Sequence, residues 1–139
     1  MIVLDTNVLS ELMRSEPARA VLRWFGTQPA ARLFTTAISE GEILYGLTLL
    51  SSGRRRIVLE RAARQVFAED FADRVLPFDR AAAHEFAEIA ADRHAAGRPM
   101  SEFDAQIAAI SRAHGAALAT RNARDFDGCG IEVIDPWRT

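Results

Sequence analysis

Asp5, Glu42, Asp104 and Asn122, with Asp125 just beyond the last, lie far apart in the chain, yet each stands where an apolar run stops or a helix begins. Oxygen donors of this kind, without histidine or cysteine among them, suit a hard divalent cation such as Mg²⁺ or Mn²⁺, which keeps several waters and binds substrate phosphates. The chemistry that follows is activation of water for in-line attack on a phosphodiester, with a carboxylate positioning or deprotonating that water.

The local context of each residue admits a second, simpler role. Met1-Ile2-Val3-Leu4 reads as a buried strand, and Asp5-Thr6-Asn7 breaks it before Val8 to Met13 resume at helical spacing. A carboxylate at a strand's carboxyl end is where open α/β sheets place ligands, and equally where Asp or Thr caps the next helix. Ser39-x-x-Glu42 has the spacing of a capping box. Gly46, one turn beyond Glu42 on the same face, costs about 0.5–1 kcal/mol against Ala in a helix, so a backbone or ligand is expected to approach closely there. Asp104 falls in the first turn after Ser101, where the helix dipole favours it. Its neighbours Phe103, Ile107, Ala108 and Ala109 turn it inward, and a buried charge needs a partner such as a shared cation. Asn122 and Asp125 follow a strand that ends at Thr120, a second junction of the Asp5 type.

The elements that must position these groups alternate in kind. Strands are expected at 2–4, 33–35, 116–120 and 131–134, with a short extended segment at 75–78 in which Pro77 argues against a central strand. Helices are expected near 6–14, 18–28, 39–50, 54–71, from Asp79 toward Gly97, and from Ser101 to Gly115. This order predicts an α/β fold, a central mostly parallel sheet of four to five short strands flanked by helices on both sides, in a single domain over 1–139.

Composition narrows the function further. With 139 residues, 49% of them hydrophobic, the chain can bury a substantial core, and no apolar stretch approaches a membrane span. The N-terminus lacks the features of a signal peptide, so a cytoplasmic protein is expected. Cys129 is the only cysteine, which excludes an internal disulfide and any cysteine-based zinc cluster; between Gly128 and Gly130 it reads as a turn residue. The net charge of −2 argues against a protein that holds nucleic acid by overall charge, but not against a nuclease whose acids bind cations. All 17 basic residues are arginine. The absence of lysine removes the Walker-type phosphate loop, Schiff-base chemistry and the lysine that Asp-nucleophile phosphatases need.

Ile2-Val3-Leu4-Asp5-Thr6-Asn7, Ser39-x-x-Glu42-Ile43-x-x-Gly46, Phe103-Asp104-x-x-Ile107-Ala108 and Thr120-Arg121-Asn122-x-x-Asp125-Phe126, in that order and at these separations, resemble a PIN domain of the VapC-type toxin family, FitB-like branch. The likeness runs through to Asp135-Pro136-Trp137. It implies a PIN-like fold and a metal-dependent endoribonuclease using Mg²⁺ or Mn²⁺. It also implies a cognate antitoxin whose C-terminal segment covers the active site, a homodimer, and operator DNA binding through the antitoxin. Carried over, Asp5, Glu42 and Asp104 are the principal metal-binding acids, and either Asn122 or Asp125 takes the fourth catalytic place. Asn brings no charge, so the alternative of a catalytically weak RNA- or partner-binding protein follows from Asn122.

Around this centre, Thr6 and Thr120 are placed to order a water or phosphate or to act as caps, and Arg98, Arg121 and Arg124 flank the acids as phosphate-binding candidates. Arg54-Arg55-Arg56 reads as a solvated helix start among Glu60, Glu69 and Asp70. His84, His94 and His114 share no ligand spacing, and Trp24 and Trp137 read as packing residues.

Overall fold

Side-chain alternation along β1 (Ile2–Leu4) divides the molecule into two packed layers. Ile2 and Leu4 face a core made with Val8, Leu9, Trp24 and Leu33, whereas Val3 faces a second core of Ile89, Ile107, Leu118 and Phe126. The computed structural model describes all 139 residues. After β1 come α1 (Thr6–Leu12), α2 (Arg19–Gly26), β2 (Leu33–Thr36), α3 (Ala37–Thr48) and α4 (Arg54–Arg64). They are followed by β3 (Val75–Leu76), α5 (Arg80–Ala95), α6 (Glu102–Ala113), β4 (Ala117–Ala119) and β5 (Val133–Ile134).

The five strands form one parallel sheet in the order β3-β2-β1-β4-β5. The parallel α/β fold with helices on both faces is therefore present. Pro77 ends β3 at the sheet edge, where a missing N–H costs nothing. In this order the chain leaves β1 toward one side of the sheet and β4 toward the other, so the crevice at their carboxyl ends is the switch point of the topology. Leu4 pairs with Ala119, and Asp5 N–H continues the ladder to Ala119 O at 2.9 Å, which brings Asp5 and Thr120 side by side.

Three local details differ from the sequence expectation. The cap of the helix carrying Glu42 comes three residues early: Thr36, not Ser39, opens it, the Thr36 hydroxyl accepting from Ser39 N–H at 3.0 Å. A β-branched residue at the end of β2 already has the extended backbone a cap needs, so Glu42 moves into the second turn and away from any capping role. The helix expected over 54–71 changes to a π-helical turn, Gln65–Asp70, which seats Phe67 and Phe71 in the core. Gly46 is exposed, and a Cβ there would meet nothing within 4 Å, so the close approach expected at this residue is not made within the chain.

The remaining caps follow the sequence. Asp79 accepts from Ala82 N–H, Ser101 accepts from Asp104 N–H, and Gly115 at φ +61° takes the left-handed position after α6. The small Ala105, Ala108 and Ala109, all buried, let α6 lie close against the sheet and α5. No helix is long and apolar enough to cross a membrane. Because Gly46 carries its helix cost with no neighbour to clash, Gly46→Ala is expected to raise unfolding stability by about 0.5–1 kcal/mol, read as a higher denaturation midpoint at unchanged slope.

Candidate metal centre

At the switch point lies a cleft of about 520 Å³ lined only by polar side chains: Asp5, Thr6, Asn7, Ser10, Glu11, Arg14, Glu42, Asp104 and Asn122. Four residues from three distant sequence segments and the N-terminus thus meet as expected: Asp5 after β1, Glu42 in α3, Asp104 in the first turn of α6, Asn122 after β4.

Asp5 is 4% exposed and is held on both oxygens. Oδ1 accepts from Thr6 N–H at 2.8 Å, and Oδ2 accepts from the Thr120 hydroxyl at 2.7 Å and Asn7 Nδ2 at 3.3 Å. Burial, opposed by those donors and reinforced by the nearby Asp104 and Glu42 carboxylates, pushes its carboxyl up to about 6. Glu42 is oriented from across the cleft: the Thr6 hydroxyl lies 2.8 Å from Glu42 Oε1 and 2.9 Å from Ser39 Oγ. A hydroxyl has one proton, so Thr6 donates to the carboxylate and Ser39 donates to Thr6. Burial raises the Asp104 carboxyl as well, Asp125 adding repulsion. Asp125 is exposed and does not line the cleft; Asn122 does.

Thr120 stands behind Asp5, buried, with its hydroxyl also accepting from Asn122 N–H at 3.1 Å. The three arginines expected beside the acids do not line the cleft. The Arg121 guanidinium stacks 5.0 Å over the Trp137 ring, and Arg98 and Arg124 are exposed. Arg14 lines the cleft instead, one helical turn from Glu11.

Sequence reasoning gave no role to Asn7, Glu11, Ser10 or Arg14. Asn7 stitches the two strand ends, its Oδ1 accepting from Arg121 N–H at 3.2 Å while Nδ2 donates to Asp5 and to Thr120 Oγ1. The Asp-Thr-Asn triplet at a strand end was the available signal. Glu11 is buried and accepts from Ala18 N–H at 2.8 Å at the start of α2, a link across seven residues that no periodicity announces. Cys129 is 1% exposed and burial raises its thiol, in keeping with an inert turn residue.

The donor set fits a hard cation. Every cleft-facing ligand atom among Asp5, Glu42, Asp104 and Asn122 that could coordinate one is oxygen, and the carboxylates repel one another in a way that a divalent charge relieves. As the side chains stand, no three carboxylates converge tightly enough to grip one ion by themselves.

The chain is similar to known proteins over its whole length. The PIN domain family matches residues 2–129. "VapC ribonuclease Y4jK" of Sinorhizobium fredii is 39% identical over 137 residues, 99% of this chain and 98% of that one. "Toxin FitB" of Neisseria gonorrhoeae is 34% identical over 137 residues, 99% of each. A solved structure of FitAB bound to a DNA fragment contains a chain that superposes with a TM-score of 0.92 at 34% identity, over 99% of this chain and 96% of that one.

The raised Asp5 carboxyl makes a prediction for chelator-treated protein. Its folded value, about 6, lies above its ordinary 3.8, so the native state holds the extra proton between them. Stability from this group is full below about 4 and is lost as pH rises through about 6, up to about 3 kcal/mol in all. Denaturant unfolding at pH 5 and pH 7.5 should show the wild type weakening more than Asp5→Asn, which is expected to be the more stable of the two at pH 7.5.

Proposed function

This chain belongs to the PIN domain family, and from that premise we propose that it is a divalent-metal-dependent endoribonuclease acting as the toxin of a toxin–antitoxin pair. The observation that carries the reading is the meeting of Asp5, Glu42, Asp104 and Asn122 in one wholly polar cleft at the switch point of a parallel sheet. An apolar substrate finds nothing there; a phosphodiester approaching with a cation finds three carboxylates and an amide.

In this reading Asp5, Glu42 and Asp104 hold Mg²⁺ or Mn²⁺, with Asn122 as a neutral fourth contact. When bound, the cation supplies Lewis-acid activation of water and neutralises charge on the phosphate. The chain's own residues do the rest. Thr6 N–H and the Thr120 hydroxyl keep Asp5 in one rotamer, and the Thr6 hydroxyl does the same for Glu42. Asp104 is half-buried in the first turn of α6, where its carboxylate orients an attacking water. Arg14, the cationic side chain of the cleft, is placed to meet a phosphate oxygen beside the reacting one.

A groove of about 710 Å³ runs from Glu42 between α1, α3 and α4, past Met13, Ile43, Gly46, Leu47, Val58 and Leu59. We assign it to the antitoxin, a peptide segment there being able to reach and cover the acids; the open side of Gly46 gives it room. Binding of operator DNA belongs to the antitoxin in the complex. Exposed Tyr45, Leu49 and Phe103 offer apolar surface of the kind a homodimer buries. The cytoplasm, where RNA is met, is the proposed location.

Cleavage of a pool of structured RNAs by purified protein tests the reading. Discrete cuts should require Mg²⁺ or Mn²⁺ and vanish on chelation; Asp5→Asn and Asp104→Asn should each lower kcat by about 10²-fold or more while remaining folded. Metal binding without any cut would favour a protein that binds RNA or a partner without cleaving. Arg14→Ala is expected to raise KM several-fold, on the order of 1 kcal/mol, with kcat nearly unchanged, as single-turnover and steady-state rates on one RNA would show.

A further inference from the structure

Arg93, in the last turn of α5, is 8% exposed, and no carboxylate pairs with it. Its guanidinium is satisfied by main-chain carbonyls. Nε donates to Arg98 O at 2.7 Å, and Nη1 donates to Asp125 O at 3.0 Å and Asp127 O at 2.9 Å, with Cys129 Sγ at 3.8 Å. These acceptors belong to two segments that both lead to the acidic cleft. Arg98 precedes Ser101, the cap of α6, whose first turn carries Asp104. Asp125 lies in the 3₁₀ turn Ala123–Phe126, which Asn122 opens, and Asp127 ends it.

A buried guanidinium without a counter-ion is a poor device for stability alone, since an apolar side chain of similar volume usually serves as well or better. Phe126 and Met100 already supply apolar packing at the same place. What an arginine adds is a rigid planar fork whose donors have fixed directions, so that two chain segments bonded to it are held at one separation. The only other side-chain bond between these segments is the weak Cys129 Sγ–Met100 Sδ contact at 3.5 Å, and it reaches no backbone group.

We propose that Arg93 is a positioning residue for the cleft, its guanidinium setting the α6 start that bears Asp104 against the turn that bears Asn122 and Asp125. The proposal rests on the reading of the cleft as a cation site. It acts through backbone carbonyls, not through contact with substrate or metal.

The test uses full-length wild type, Arg93→Met, which keeps the stem and loses the donors, and Arg93→Lys, which keeps the charge and loses the fork. Ile89→Ala, a cavity in the same core layer, is the control for a merely structural effect. Mn²⁺ alone is titrated calorimetrically, and amide hydrogen exchange is read by segment. Arg93→Met should weaken Mn²⁺ binding on the order of tenfold, with exchange faster at 96–101 and 122–129 and unchanged in β1 and α3. Arg93→Lys should fall between it and wild type, and Ile89→Ala should keep wild-type Mn²⁺ affinity. Unchanged Mn²⁺ affinity in folded Arg93→Met, or an equal loss in Ile89→Ala, overturns the proposal. If Arg93→Met does not fold, Arg93→Lys decides by the same two readouts. Mn²⁺ binding by wild type without RNA cleavage sinks the nuclease reading and leaves this one standing; wild type that binds no Mn²⁺ sinks both.

Discussion

A carboxylate buried at the end of the central strand is the constraint to which the surrounding structure answers. Asp5 continues the β1 ladder through its N–H while its side chain is withdrawn from water, so its oxygens must be met by donors. Thr6, Thr120 and Asn7 meet them, and each is fixed by the topology: Thr6 opens α1, Thr120 closes β4, and Asn7 reaches between the two. The parallel pairing of β1 with β4 is what makes this possible, because only neighbouring parallel strands deliver both carboxyl ends to one place.

That arrangement is electrostatically unfavourable on its own. Asp104 and Glu42 add negative charge near a group that burial already disfavours ionising, and Asp125 adds more near Asp104. A domain selected only for stability would place apolar residues there; the apolar cores on either side of the sheet show that this chain readily does so elsewhere. The local conflict with folding is the mark of a site, and the groups that hold it in place are neutral: hydroxyls, amides and backbone N–H. Positive charge is kept at the rim, in Arg14, or engaged elsewhere, as Arg121 is with Trp137.

The helices divide the labour. α3 and α6 bring acids to the cleft from opposite faces of the sheet, and both begin with a hydroxyl cap that sets which residue falls in which turn. Shifting the start of α3 from Ser39 to Thr36 puts Glu42 within reach of Thr6 across 36 residues of sequence. The same logic governs the turn after β4, where Asn122 enters the cleft and Asp125, three residues on in a 3₁₀ turn, faces solvent.

Much of this was legible in the residues. Short apolar runs alternating with helical periodicity dictate a parallel α/β sheet, since parallel neighbours need helical crossovers, and Asp5 and Asn122 just beyond two strand ends mark the crevice. Asp5, Glu42, Asp104 and Asn122 could therefore be assembled on paper, with the order of strands still open. Tertiary structure decided which of two chemically similar residues borders the cleft. Asn122 and not Asp125, Arg14 and not Arg98 or Arg124, line the cleft, because direction depends on the turn each residue occupies and on what lies behind it. It also decided the side-chain contacts to backbone groups: Glu11 with Ala18 N–H, Asn7 with Arg121 N–H, and Arg93 with the carbonyls of Arg98, Asp125 and Asp127. Such bonds leave no trace in hydrophobic period or composition, because almost any residue supplies the backbone N–H or carbonyl and only the fold brings it near.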